Sequence, residues 1–322
     1  MAEPREIGIH EIEGFQIGHA QDEAGATGCT VVLCERGATA GVDVRGRAPA
    51  TRETELLRPG NTVERVHAVM LSGGSAFGLD ACAGAMAFLE ERGIGFDAGL
   101  AVVPIVCGAS LFDLFVGDSQ ARPDKAMGYA ACENAGAGAL AEGNVGAGTG
   151  ATVGKYLGPA RMMKSGFGAY ALQAGDVKCG ALVAVNAFGD VFDADTGRAI
   201  AGLLNEEGTA LADTERLMCL DPGAKRVMFG GNTTLGCILT DARLTKAEAG
   251  ALASVAHDGF ARAIRPVHTT ADGDAIFALG HGDKDASADA LGVLAAMVMA
   301  RAVARAVRAA KSAYGLIGAD AL

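Results

Sequence analysis

The stretch Gly230-Gly231-Asn232-Thr233-Thr234-Leu235-Gly236 constrains this chain more than any other. Two glycines lead into a small polar residue, two hydroxyls and the apolar run Leu235-Gly236-Cys237-Ile238-Leu239. Glycine permits dihedrals that other residues resist, so the local reading is a tight turn entering a buried strand. A sharper reading is open as well: the chain cuts itself between Asn232 and Thr233. A hydroxyl held against its own preceding carbonyl can attack it, and hydrolysis of the resulting ester frees an N-terminal threonine. The new α-amine, with a reference pKa of about 7.7, can then act as general base for the adjacent hydroxyl. Spacing and composition alone do not select between the two.

A chain of 322 residues can form one large domain or two ordinary ones and bury a sizeable core. It carries 47 glycines and no tryptophan, which suggests close backbone packing in α/β layers rather than an aromatic binding surface. The net charge of −11 argues against nucleic acid as a partner. Arg301, Arg305 and Arg308 recur in an alanine-rich helical stretch and read as its solvated face. The eight cysteines include no Cys-x-x-Cys pair, and free buried thiols suit a chain this long better than a disulfide framework. The charged N-terminus lacks the apolar core of a signal peptide. The longest uncharged apolar helix candidate, 290–300, is short of the ~20 residues that span a membrane. A soluble cytoplasmic protein is expected.

Periodicity predicts strands over 30–33, 38–44, 66–71, 102–106, 181–186, 233–241 and 274–279. Helices are expected over 76–92, with Ser75 as its cap, and over 196–207. Thr245-x-x-Glu248 is a capping box that opens a helix to about residue 264, and a last helix covers 286–312. Residues 211–225 read as an exposed loop, and the glycine-dense 133–158 as folded chain rather than linker. Strands and helices mix without strict alternation, which favours α+β layers over a doubly wound sheet.

Several motifs can be set aside. Gly154-Lys155 lacks the earlier glycine and the following hydroxyl of a phosphate loop, and Gly148, Gly150 and Gly154 miss the dinucleotide spacing. Lys155 therefore needs another role: buried near an active hydroxyl, it could lower a neighbouring pKa or orient a group. The six histidines show no ligand spacing, so no metal is expected, and His257 and His268 read as groups flanking a helix end. Asp272-Gly273-Asp274 is either an ordinary turn or a pair of acids able to hold an ammonium or polarise a hydroxyl.

In order along the chain stand Leu71-Ser72-Gly73-Gly74-Ser75-Ala76-Phe77-Gly78-Leu79, Gly146-Ala147-Gly148-Thr149-Gly150-Ala151-Thr152-Val153-Gly154-Lys155, Val183-Ala184-Val185-Asn186-Ala187 and Gly231-Asn232-Thr233-Thr234-Leu235-Gly236. Ala256 to Thr269 and Asp272-Gly273-Asp274 complete the set. Over nearly its whole length the chain resembles the DmpA-type aminopeptidases, which include the β-peptidyl aminopeptidases and the NylC-type nylon oligomer hydrolases. The resemblance implies a single αββα-type domain over 1–322, self-cleaved between Asn232 and Thr233 into 1–232 and 233–322. It implies Thr233 as nucleophile in self-cleavage and catalysis, Asn186 as oxyanion donor and Lys155 as a charge-stabilising neighbour. Asp272 and Asp274 match the acidic pair that positions the nucleophile, and a tetramer of processed units is implied. Threonine after asparagine resembles the nylon hydrolase branch. The expected function is an N-terminal-threonine amide hydrolase that acts on short peptides or linear amide oligomers such as those of 6-aminohexanoate. No metal or organic cofactor is called for. The alternatives are an ornithine-acetyltransferase-like acyl transfer and an uncut, non-catalytic binding protein.

Overall fold

The computed structural model describes residues 3–136, 138–223 and 231–322. Gly230 and the end of the 211–225 segment lie outside the described residues. One strand, Thr27–Val44, ties the fold together. Its first half pairs with Gln16–Asp22 and Val66–Ser72, and its second half with Ala275–Lys284. Two strands were expected here. A single strand forms because Gly37, at φ +77°, takes up a bulge where the register with Val66–Ser72 shifts, so the chain bends without turning back.

That bend lets the strand serve two layers. One holds Arg5–Ile7, Phe167–Ala174, Val177–Ala184, Leu235–Ala242, Ala275–Lys284 and the second half of the long strand, in that order. The other holds its first half with Gln16–Asp22, Val66–Ser72, Val106–Ser110 and Thr51–Arg52. Alternate residues of each strand face opposite ways. Val183, Ile238 and Ile276 pack against Phe260 and Met299 of the helices Lys246–Ala263 and Ala288–Ala309. Leu182, Leu235, Cys237 and Phe277 turn into the space between the layers and meet Val32, Val69 and Leu71. Val31, Leu33 and Met70 cover the helix Ala81–Glu90 on the far side. The result is the expected αββα sandwich.

The Thr245–Glu248 capping box forms in both directions. The Ala288–Ala309 helix is long and apolar enough to cross a membrane, yet most of it is buried against the sheet. Its Arg301, Arg305 and Arg308 pair with Asp195, Glu6 and Asp193. All eight cysteines are free thiols, seven of them buried.

Four local expectations change. Residues 76–92 divide into a 3₁₀ segment, Ser75–Asp80, and the helix Ala81–Glu90; Gly74 holds the cap position and no side chain caps it, so Ser75 is not the cap. The 196–207 helix is replaced by turns and the strand Ala199–Ala201, because Gly197, Gly202 and Gly208 interrupt any helical run. The 211–225 loop contains a helix, Thr214–Leu220, capped by the Asp213 carboxylate on the Arg216 N–H. Residues 102–106 become the short arm Val102–Val103 and the start of Val106–Ser110.

Candidate active site

Strand direction assembles the site. Leu235–Ala242 and Ala275–Lys284 run parallel, so both begin at the same edge of the sheet. Val177–Ala184 runs antiparallel to the former, so it ends there. Residues just before the first two strands and just after the third therefore converge: Thr233, Asp272 with Asp274, and Asn186. Lys155 joins them because its segment is pinned to the chain beyond Asn186. The Lys155 N–H donates to Phe188 O at 2.9 Å and the Gly154 N–H to Gly189 O at 3.1 Å. Gly154, at φ +73°, must be glycine, since a Cβ would fall 2.0 Å from the backbone of Gly202.

The Asn232–Thr233 peptide is clamped on both sides. The Asn232 carbonyl oxygen accepts the Gly273 N–H at 2.9 Å and the Thr233 hydroxyl at 2.6 Å. The Thr233 N–H donates to Asn186 O at 3.0 Å, and the Thr234 N–H to Asp274 Oδ1 at 2.7 Å. Gly231 takes φ +133° ahead of this peptide, and a Cβ there would lie 2.6 Å from the Phe112 ring. Asn232, Thr233, Asp272 and Asp274 are all buried.

Lys155 Nζ donates to Asn186 Oδ1 at 2.6 Å and to Asn186 O at 3.2 Å, and reaches Gly231 O at 3.5 Å. Burial pushes its pKa down to about 7, against the opposing pull of Asp272, Asp113 and Asp274. Asp272 moves the other way, up to about 6, through burial and then the negative charge of Asp274. Its Oδ2 accepts the Thr269 N–H at 2.6 Å. A buried acid and a buried base thus both change charge near neutrality, as an acid–base site requires.

All five expected side chains come together, but Asn186 stands differently from its expected role. In the uncut chain its Nδ2 donates to Phe112 O at 2.9 Å and Gly231 O at 3.3 Å, not to the Asn232 oxygen. The donors at that oxygen are the Gly273 backbone N–H and the Thr233 hydroxyl itself. Asn186 braces Lys155 and the turn instead.

Three participants escape a reading of the sequence. Gly273 acts through its backbone, which no side-chain pattern reveals. Asp113 is a buried carboxylate held by Thr27 Oγ1 and the Gly74 N–H, each at 2.7 Å, and it acts electrostatically on Lys155. His268 places Nδ1 2.8 Å from Asp274 Oδ2. Its nearness in sequence to Asp272 and Asp274 was the available signal.

A small recess of ≈ 10 Å³ beside the scissile peptide is lined by Phe115, Lys155, Gly158, Pro159, Met162 and Asn232. A roomier groove of ≈ 900 Å³ lies around Lys178, Asp241, His281 and Lys284, at the opposite end of the same strands. Six residues separate Leu235 from Asp241, about 20 Å of extended chain. The groove is thus remote from Thr233, and the small recess is the space that matters for chemistry there. Among the described residues no group of three or more His, Cys, Asp or Glu could hold a metal ion.

Residues 8–320 match the family model of peptidase family S58. An uncharacterised aminopeptidase of Mycobacterium leprae is 41% identical, over 96% of this chain and 92% of that protein. A 6-aminohexanoate-oligomer endohydrolase of Kocuria sp. is 32% identical, over 94% and 87%. Among solved structures, the L-aminopeptidase D-Ala-esterase/amidase of Ochrobactrum anthropi, described as a variant of the Ntn hydrolase fold, superimposes with a TM-score of 0.72. That match is 17% identical over 97% of this chain and 90% of the other. A Burkholderia sp. beta-aminopeptidase gives 0.70 at 21% identity, over 99% and 92%.

Proposed function

The chain belongs to peptidase family S58 and is an amide hydrolase of the N-terminal-nucleophile type, and from that premise we propose that Thr233 first cuts the Asn232–Thr233 bond and then serves as the catalytic nucleophile. One observation carries the reading: the Thr233 hydroxyl lies 2.6 Å from the Asn232 carbonyl oxygen, while the Gly273 N–H holds that oxygen from another direction.

The Thr233 oxygen bonds to the Asn232 carbonyl carbon, negative charge gathers on the oxygen facing the Gly273 N–H, and the C–N bond breaks. The nitrogen of Thr233 becomes an amine by taking up the proton that the hydroxyl gives up. Water then hydrolyses the ester to an Asn232 carboxylate and a free Thr233. The same parts serve an external amide. With Asn232 gone, the Gly273 N–H receives the substrate carbonyl oxygen, and preorganised donors of this kind carry much of the catalysis in acyl transfer. The freed α-amine takes the hydroxyl proton and passes it to the leaving amine, and water releases the acyl group. Asn186 O, Asp272 and Asp274 hold the new ammonium.

The recess bears on substrate. Its described lining contains no carboxylate to bind a substrate ammonium, and Phe115, Pro159 and Met162 make it narrow and largely apolar. This favours a slender, uncharged acyl group, as in linear amide oligomers or peptides of small residues. Processed units are proposed to assemble as a tetramer.

Denaturing mass analysis tests the nucleophile: fragments 1–232 and 233–322 are expected, and a single uncut chain after prolonged incubation overturns the reading. Incubation with 6-aminohexanoate oligomers, short peptides and an acyl donor with an added acceptor amine then sorts the substrates. Release that depends on the acceptor would mark a transferase.

A further inference from the structure

His268 is partly buried at the site, outside every role assigned above, and its backbone is left-handed. It adopts φ +57°, a left-handed conformation that only a few per cent of non-glycine residues take, histidine with asparagine and aspartate more often than the rest. Such an outlier persists only where its surroundings over-determine it, and here they do. On one side its Nδ1 donates to Asp274 Oδ2 at 2.8 Å. On the other its ring meets His257, centroids 4.8 Å apart, and Phe260 at 6.3 Å. His257 is a neutral wall: burial lowers it to about 4, and its Nε2 donates to Asp43 O at 3.1 Å.

The carboxylate that His268 grips faces the reaction. Asp274 Oδ2 takes the imidazole, and Oδ1 takes the Thr234 N–H at 2.7 Å. A carboxylate with one oxygen pinned cannot rotate without breaking the other bond, so the imidazole fixes the peptide that follows Thr233. From this chain of contacts we propose that His268 is a positioning residue for the reaction: acting through Asp274, it holds the Thr233–Thr234 backbone so that the hydroxyl stays on its target carbonyl. The proposal rests on the hydrolase reading above. Small displacements of a reacting group suffice to matter, since misplacement by about 1 Å can cost about 10²-fold in rate.

Four chains test it: His268→Ala, His268→Asn, Asp274→Ala and the double variant His268→Ala/Asp274→Ala. Asparagine tolerates the left-handed backbone and can present an N–H near the position of Nδ1. Self-cleavage is followed by denaturing mass analysis, and kcat and KM are measured on processed enzyme. His268→Ala is expected to slow self-cleavage by about 10–100-fold and lower kcat with little change in KM. His268→Asn should recover most of the rate, and the double variant should be no slower than Asp274→Ala alone, since residues acting through one contact are not additive. Thermal melting accompanies each chain. If the alanine chain is unfolded, His268→Met, which fills space against His257 and Phe260 without a donor, takes its place. Wild-type rates in the donor-less variants, additive losses in the double variant, or no recovery with asparagine overturn the proposal. A wild-type chain that never cuts is a different result and removes the hydrolase reading itself.

Discussion

The Thr233 hydroxyl and the carbonyl oxygen of Asn232 lie 2.6 Å apart, so the side chain is folded back on the peptide bond that precedes it. The contact is local, but its surroundings are not: the Gly273 N–H, Asn186 O and Asp274 Oδ1 hold the three consecutive residues 232–234 in place. Substitutions can remove the parts of that clamp one at a time.

Thr233→Ala is expected to leave a folded, full-length chain whose amide hydrolysis falls at least about 10³-fold, as for loss of a nucleophile. Thr233→Ser keeps the hydroxyl and should still divide into 1–232 and 233–322. Mass analysis of both proteins checks this, and cleavage at the same bond in the alanine chain would remove Thr233 from the mechanism.

Gly273→Ala tests the backbone donor. The added Cβ would fall 2.2 Å from Ala48 O, so the backbone must shift and carry its N–H away from Asn232 O. Self-cleavage should slow by roughly 10²–10³-fold, the usual loss for one oxyanion donor. A time course at wild-type rate would show that the Gly273 N–H does not stabilise the transition state.

Asn186→Ala strips Lys155 of its 2.6 Å acceptor and the Thr152 backbone N–H of the same side-chain oxygen at 3.1 Å. Leaving buried donors unsatisfied costs about 1–3 kcal/mol, so the melting temperature should fall along with the self-cleavage rate. Unchanged melting would mean that other acceptors replace the amide.

Lys155 should make stability depend on pH in a defined direction. Its folded value of about 7 lies below its ordinary 10.5, so between these the unfolded chain binds the extra proton and the folded one does not. Stability therefore rises with pH across that window, by at most about 1.4 kcal/mol per unit, and the gain is lost as pH falls through 7. Asp272 acts in the opposite sense, losing stability as pH rises from 3.8 through about 6, and so stays out of the window. Denaturant titrations from pH 7.5 to 9.5, on uncut Thr233→Ala with and without Lys155→Met, isolate the effect. Equal slopes in the two chains would place the Lys155 titration outside this range.

Much of the layering and most long elements are legible in the sequence, as is a hydroxyl set beside its own preceding carbonyl. The apolar run Leu235–Leu239, the Thr245–Glu248 capping box and the Gly231-Asn232-Thr233 turn are each written in consecutive residues, where composition and local dihedral preference act directly. Expectation and structure part where short-range signals compete. Glycines break a helical run at 196–207, and the bulge at Gly37 lets one strand do the work of two.

What the tertiary structure decided was adjacency. Asn186, Lys155 and Asp274 reach Thr233 only because parallel and antiparallel pairings bring three strand ends to one edge, a matter of core packing between segments far apart in sequence. The Gly273 donor belongs to the backbone and so has no residue signature, and His268 gains its place from a left-handed backbone that sets its ring between Asp274 and His257. The sequence by itself determined which groups could react; long-range burial, which sets register and charge together, decided which of them meet.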